Sequence, residues 1–188
     1  MRQLFQSVKA YVVFMVLLGL VYPLGITIVA QALMPYNANG SLIEKNNKVV
    51  GSVLIAQGFS RPEYFQSRLS ANAYDATNSG GTNLGPSSKK LIDGTEAVVK
   101  QIREANGLAP SAKVPADMAL TSASGLDPHI SYENALIQSK RVAQLRGISV
   151  REVKKLVDKN TDCDFLGLWG CSGVNVLKLN IALDEYKK

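Results

Sequence analysis

Residues 11 to 33 read YVVFMVLLGLVYPLGITIVAQAL, from Tyr11 to Leu33, without one charged side chain. A helix rises about 1.5 Å per residue, so this run is long enough to cross a hydrocarbon core of about 30 Å. It divides the chain into a short cytoplasmic N-terminus (residues 1–10), a transmembrane helix (11–33) and an exported domain (34–188). Arg2 and Lys9 precede the span, and the next basic residue is Lys45. That asymmetry holds the N-terminus in the cytoplasm and sends the remainder across, to the periplasm of a bacterium with an inner membrane. Tyr11 and Tyr36 fall where the headgroups would lie. A cleaved signal peptide is the competing reading, with Arg2 and Lys9 as its positive region and Ala30-Gln31-Ala32 as its cleavage site. The apolar run exceeds the roughly 7–15 residues of a signal core, which favours an uncleaved anchor.

Pro23 stands inside this helix and lacks the N–H that would bond the carbonyl of Gly19. One reading is a tolerated kink. The other is a kink shaped to neighbouring helices, with Gly19, Gly25 and Thr27 permitting close approach. No G-x-x-x-G occurs, so self-pairing of the span has little support.

The net charge is +6, of which Arg2 and Lys9 carry two, leaving +4 beyond the span. No basic block and few interleaved aromatics point away from nucleic acid. A single His and no C-x-x-C argue against a structural metal site. Cys163 and Cys171 both fall in the exported part, where disulfides form, and a bond between them would close the short loop DFLGLWG.

Residues 34–48 read as a tether and a turn, and Val49–Ala56 as a strand with Gly51 at a bulge or close approach. From Gln57 to Gly85 neither the helical nor the strand period appears. So long a loop is expected to pack through Phe59, Tyr64, Phe65 and Tyr74 and to present a surface to a ligand or partner. Pro86 and Ser87 or Ser88 open a helix through Leu91 to Ile102, ended by Asn106-Gly107. Ser131 opens a second, stopped by Gly147. Ser149 and Glu152 form the capping box of a third. Val174–Leu179 reads as a strand before a short terminal helix. The sum is one α+β domain on a single-span anchor.

Two loops invite chemical readings. Gly80 to Ser87 spells G-x-x-x-x-G-P-S, close to the phosphate-binding G-x-x-x-x-G-K-[ST]. Pro86 replaces the lysine, and polar loop replaces the strand that should precede Gly80. Lys89 and Lys90 remain near the helix start for an anion, but a structural turn is the stronger reading, with Gly80, Gly81 and Gly85 at positive φ. Asp127, His129 and Ser131 hold the residue types of a hydrolytic triad, yet residues so close in sequence seldom converge. His129 reads as a hydrogen-bonded structural group beside the Asp127-Pro128 turn.

Taken together, the chain resembles the C subunits of bacterial Kdp potassium-transporting ATPases. The likeness runs through Gly19-x-x-Tyr22-Pro23-Leu24, Gly51-Ser52-x-Leu54-Ile55-x-Gln57 and Tyr64-Phe65-x-x-Arg68-x-Ser70-Ala71. It continues through Ser79-Gly80-Gly81-Thr82-Asn83-Leu84-Gly85-Pro86, Val114 to Asp117, Ser124 to Ser131, Arg141-Val142-Ala143 and Val174 to Asp184. Leu69 replaces a usual Pro, and Ser172-Gly173 a usual Pro-Arg. The resemblance implies a non-catalytic subunit with no cofactor of its own, partnered by a channel-like potassium subunit and a P-type ATPase subunit that handle potassium and ATP. It also implies a described role as a catalytic chaperone for ATP, with Ser79, Gly80, Gly81, Thr82 and Asn83 as the nucleotide stretch. Gly19, Tyr22, Pro23, Gly85, Pro86, Asp127, Pro128 and His129 are the structural or partner-facing residues. A stand-alone, membrane-tethered periplasmic binding protein or hydrolase is the alternative.

Overall fold

A computed structural model describes residues 1–162 and 172–186. Cys163 and Cys171, and so the expected disulfide, lie outside the described residues. The chain divides into two compact units, Met1–Val50 and Gly51–Lys188.

The first unit opens with α1 (Arg2–Val16), a π-helical turn (Leu17–Val21) and α2 (Tyr22–Leu33). These run on as one helix, which is long and apolar enough to cross a membrane and buries none of its residues within the protein. It starts at Arg2 rather than at the first apolar residue, because Arg2 to Ala10 are mostly good helix formers. The π turn sits just ahead of Pro23, where the helix must absorb the missing N–H. Tyr22 N–H reaches back to the carbonyl of Leu17, and Thr27 Oγ1 donates to that of Pro23 at 2.8 Å.

Beyond α2, the short α3 (Pro35–Ala38) is tied down by Asn39. Its Nδ2 donates to Pro35 O at 2.7 Å, and its Oδ1 accepts from Gln31 Nε2 at 3.2 Å. A hairpin follows, β1 (Leu42–Lys45) and β2 (Lys48–Ser52). Asn46 and Asn47, at φ 53° and 58°, supply the two left-handed positions of its turn. The expected tether therefore contains a strand, and the expected strand to Ala56 ends at Ser52. Ser52 Oγ accepts the amide of Leu54 at 3.1 Å and bends the chain out of the ladder.

The second unit is built on helices around a small sheet. α4 (Lys89–Ala105), α5 (Ala116–Ala119), α6 (Tyr132–Arg146), α7 (Val150–Lys159) and α8 (Val176–Glu185) surround β3 (His129–Ile130), β4 (Thr161–Asp162) and β5 (Gly173–Asn175). The strands lie antiparallel in the order β3-β5-β4, with Ile130 and Thr161 both opposite Val174. Phe65, Ile130, Val142, Val153, Val157, Val174, Leu179 and Leu183 close the core. The molecule is thus mixed α+β behind one apolar N-terminal helix, as the sequence led us to expect.

Capping explains the helix boundaries. Ser131 Oγ accepts from Asn134 N–H to start α6, and Gly147 ends it at φ 62°. Two boundaries differ from expectation. α4 begins at Lys89, and Pro86 lies in the turn before it rather than at the first helical position. The run expected as strand to Leu179 turns helical at Val176, because Asn175 Oδ1 accepts Lys178 N–H at 3.1 Å as an N-cap. Val176, Leu179, Asn180 and Leu183 are then buried at helical spacing.

At α7 the capping box of Ser149 and Glu152 is complete. Hydrogen bonds from the Ser149 side chain, the Tyr186 hydroxyl and the Ser149 amide hold the Glu152 carboxyl down at about 2. A depressed carboxylate contributes stability above its unfolded value near 4.5, and that contribution disappears as pH falls toward 2. Glu152→Gln should therefore flatten the dependence of unfolding midpoint on pH across that window. An NMR titration of Glu152 in the native protein with a midpoint near 4.5 would refute this.

Candidate partner-facing site

The segment from Gln57 to Gly85 forms no regular element beyond one parallel bridge, Leu69 to Thr121. Side-chain amides stand in for a sheet. Phe65 N–H donates to Asn180 Oδ1 and Phe65 O accepts from Asn180 Nδ2, both at 2.9 Å. Gln138 grips the next residue likewise, accepting Gln66 N–H at 2.8 Å and donating to Gln66 O at 3.1 Å. Arg141 Nη1 donates to the carbonyls of Pro62 and Tyr64, and Arg146 Nε donates to that of Glu63 at 2.9 Å. Phe65 is fully buried as a result, and Tyr64 lies against Phe59 with ring centroids 5.7 Å apart.

This frame places the glycine-rich stretch against the Ser122–Pro128 run. Gly80 N–H donates to Ser124 O at 2.8 Å, and Ser79 Oγ donates to the same carbonyl at 3.0 Å. A Cβ on Gly81 would stand 2.9 Å from Ala123 O. Gly125, at φ 70°, is packed on Asn72 and on Gly80 O. The glycines at 80, 81 and 85 do not take the positive φ expected of them. Asn83 does, at 52°, and Gly81 is required by close approach to backbone instead. Thr82 and Asn83 are exposed, as are Gly85 and Pro86 in the approach to α4.

Beside this seam, Arg68 Nη1 donates to Asp127 Oδ2 at 2.8 Å, and Asp127 Oδ1 accepts His129 N–H at 3.0 Å. Pro128 O accepts Val176 N–H at 3.0 Å, fastening the turn to α8. A shallow cavity of about 530 Å³ opens here, lined by Leu54, Ile55, Arg68, Ser79, Ser122 and Asp127. His129 Nε2 faces Asp162 at 3.0 Å, while Ser131 Oγ donates to Asp117 Oδ1 at 2.9 Å. Asp127 thus meets His129, through its backbone amide at 3.0 Å and Nδ1 at 4.0 Å, whereas the Ser131 hydroxyl turns away to Asp117.

Residues 79–83 run from the Ser124 contact at Ser79 and Gly80 to the exposed Thr82 and Asn83. Gly80 N–H is taken by Ser124, and the segment before it consists of turns. The larger cavity, about 800 Å³, lies along the C-terminal half of α4 and against α6, away from Lys89 and Lys90. Gly19, Tyr22 and Pro23 belong to the helix of the first unit.

Sequence reasoning did not single out Asp117, Gln138 or Asn180. Asp117 Oδ2 accepts both Ser131 N–H at 2.8 Å and Asn134 Nδ2 at 2.9 Å, so it fixes the start of α6. Its only signal was a place in the Val114–Asp117 run. Gln138 and Asn180 act across long sequence separations; Asn180 had as its only signal a place in the Val174–Asp184 run, and Gln138 had none.

The family model for the c chain of the K+-transporting ATPase, KdpC, matches residues 4–185. The chain belongs to the KdpC family. By that membership it is a subunit of a potassium-transport ATPase complex. It is 49% identical over 184 residues to the potassium-transporting ATPase KdpC subunit of Caldanaerobacter subterraneus, covering 97% of this chain and 95% of that one. The same-named subunit of Koribacter versatilis is 48% identical, over 97% and 94% of the two chains. That of Mycobacterium tuberculosis is 44% identical, over 98% of each. These KdpC-family relatives align from the span through α8, so both units belong to the shared architecture.

Proposed function

We propose that this KdpC-family chain is a non-catalytic assembly subunit, anchored by its helix with the second unit outside the cytoplasmic membrane. There it braces a channel-like potassium subunit and, through the membrane, a P-type ATPase subunit. Potassium and ATP are handled by those partners, and the chain carries no cofactor of its own. The observation that supports this most is the closed seam between Ser79–Gly81 and Ser122–Gly125. It spends the Gly80 amide internally and presents Thr82, Asn83, Gly85 and Pro86 outward as a shaped surface. The charge asymmetry around the span supports the outward placement.

Affinity purification of the full chain in mild detergent should bring down two larger membrane subunits. A reporter active only outside the cytoplasm should be active when fused after Lys188. A chain that purifies alone, or an inactive reporter, would sink the reading. The described chaperone role makes a different demand, namely nucleotide contact at Ser79–Asn83. Calorimetric titration of the full chain in micelles should show no Mg-ATP binding at millimolar concentrations. Binding that disappears on changing Lys89 and Lys90 to Ala would favour the chaperone instead.

A further inference from the structure

We propose that the cavity between α4 and α6 binds a small organic monoanion with an apolar body, its charged end at Arg141. The proposal goes beyond the assembly role and concerns the second unit alone. The cavity holds about 800 Å³, and sites for small organic ligands span about 300–1,000 Å³. Its apolar lining comes from Leu69, Val98, Ile102, Met118 and Leu145. Val98 and Ile102 lie one turn apart on α4, an amphipathic helix that buries none of its residues. Interiors are close-packed, so a half-covered apolar face over so large a void is left for something else to fill.

Arg141 lines the same cavity, and its guanidinium rests on neutral acceptors alone. Nε donates to Asn106 Oδ1 at 3.1 Å, Nη1 to the carbonyls of Pro62 and Tyr64, and Nη2 to Gln138 Oε1 at 2.8 Å. Of the five N–H groups of a guanidinium these use four, leaving one on Nη2. Among the described residues no carboxylate pairs with Arg141, whereas Arg61, Arg68 and Arg146 each have one. Burial lowers the pKa of this guanidinium from its ordinary value, as befits a charge taken from water without a counter-charge. A bound anion offsets that cost.

The other groups around the cavity narrow the class. Its remaining charged residues are Lys140 and Glu104, so two positive groups and one negative give the lining a net +1. A single negative charge neutralises it, and a second would be set against Glu104. The buried amides of Asn134 and Gln138 are spent on each other, on Asp117 and on Gln66. They offer an entering peptide no ladder of open groups. The occupant is therefore a compact carboxylate with an aromatic or aliphatic body.

The test uses the full chain in lipid nanodiscs, with para-trifluoromethylbenzoate as the probe and para-trifluoromethylbenzyl alcohol as its neutral counterpart. Fluorine NMR titrations, referenced to empty nanodiscs, read the binding of each. The benzoate should bind at least about ten-fold more tightly than the alcohol, as a charge-assisted bond to a guanidinium requires. Inorganic phosphate should not displace it. Val98→Phe fills the cavity from the α4 side, touches none of the Arg141 bonds, and should weaken benzoate binding about ten-fold. Arg141→Gln should abolish the preference for the anion. Because Arg141 also holds Pro62 and Tyr64, Val98→Phe carries the test should Arg141→Gln not fold. Benzoate binding no tighter than the alcohol, binding unchanged by Val98→Phe, or displacement by phosphate would overturn the proposal.

Discussion

Gly81→Val is expected to lower recovery of the partner subunits with this chain about ten-fold, an effect of about 1.4 kcal/mol on association. A Cβ there stands 2.9 Å from Ala123 O, which is backbone and cannot rotate away. Valine adds two methyl groups to that contact, so residues 79–81 must separate from 122–125. Overpacking of this kind costs about 1–3 kcal/mol, less than a domain's stability, so the chain should stay folded and in the membrane. What changes is the outward form of Thr82 to Pro86. Gly85→Ala supplies the contrast, because nothing lies within 4 Å of a Cβ at that position. Co-purification that survives Gly81→Val, or falls equally with Gly85→Ala, would show that this seam does not shape the partner surface.

Asn180→Leu should produce the largest loss of stability in the second unit. The side chain is buried in α8, and both ends of its amide are bonded to the peptide of Phe65 at 2.9 Å. Leucine matches its size but satisfies neither group. Each stranded backbone group costs about 1–3 kcal/mol, so about 2–6 kcal/mol is at stake. That is a large part of an ordinary domain's 5–15 kcal/mol. Urea unfolding of the full chain in micelles should show a much lower midpoint with an unchanged slope. A midpoint within error of the parent would mean that the Phe65 segment is held by other means.

Elements whose cause is local were legible in the sequence. Ser131, Gly147 and the Ser149–Glu152 pair act within one helical turn, and each marks the boundary read from it. Asn175 was the local signal passed over: a short polar residue before Val176, Leu179 and Leu183 reads as a cap as easily as a strand position. The hairpin was missed because Leu42–Lys45 is too short and polar to show alternation. The candidate site divides along the same line. Ser79–Gly81 and Ser124–Pro128 stood out separately, but their contact depends on Gly81 meeting Ala123, which no spacing rule encodes. The clamps of Gln138 and Asn180 on Gln66 and Phe65 are equally invisible, because an amide at helical spacing has no preferred distant partner.

The fastening of Phe65 to α8 sets an order of events during synthesis. Phe65 leaves the ribosome well before Asn180 and Asp184, which accept from Phe65 N–H and the Tyr64 hydroxyl. Between them lies a closure of 115 residues. Contacts so distant must bear the entropy of closing the loop before they return any stability. The Phe65 clamp therefore closes only once α8 has been made, after the contacts that α6 makes to Glu63, Tyr64 and Gln66. A chain truncated before α8 would retain its membrane helix and most of its apolar core, yet it should persist as a protease-sensitive intermediate.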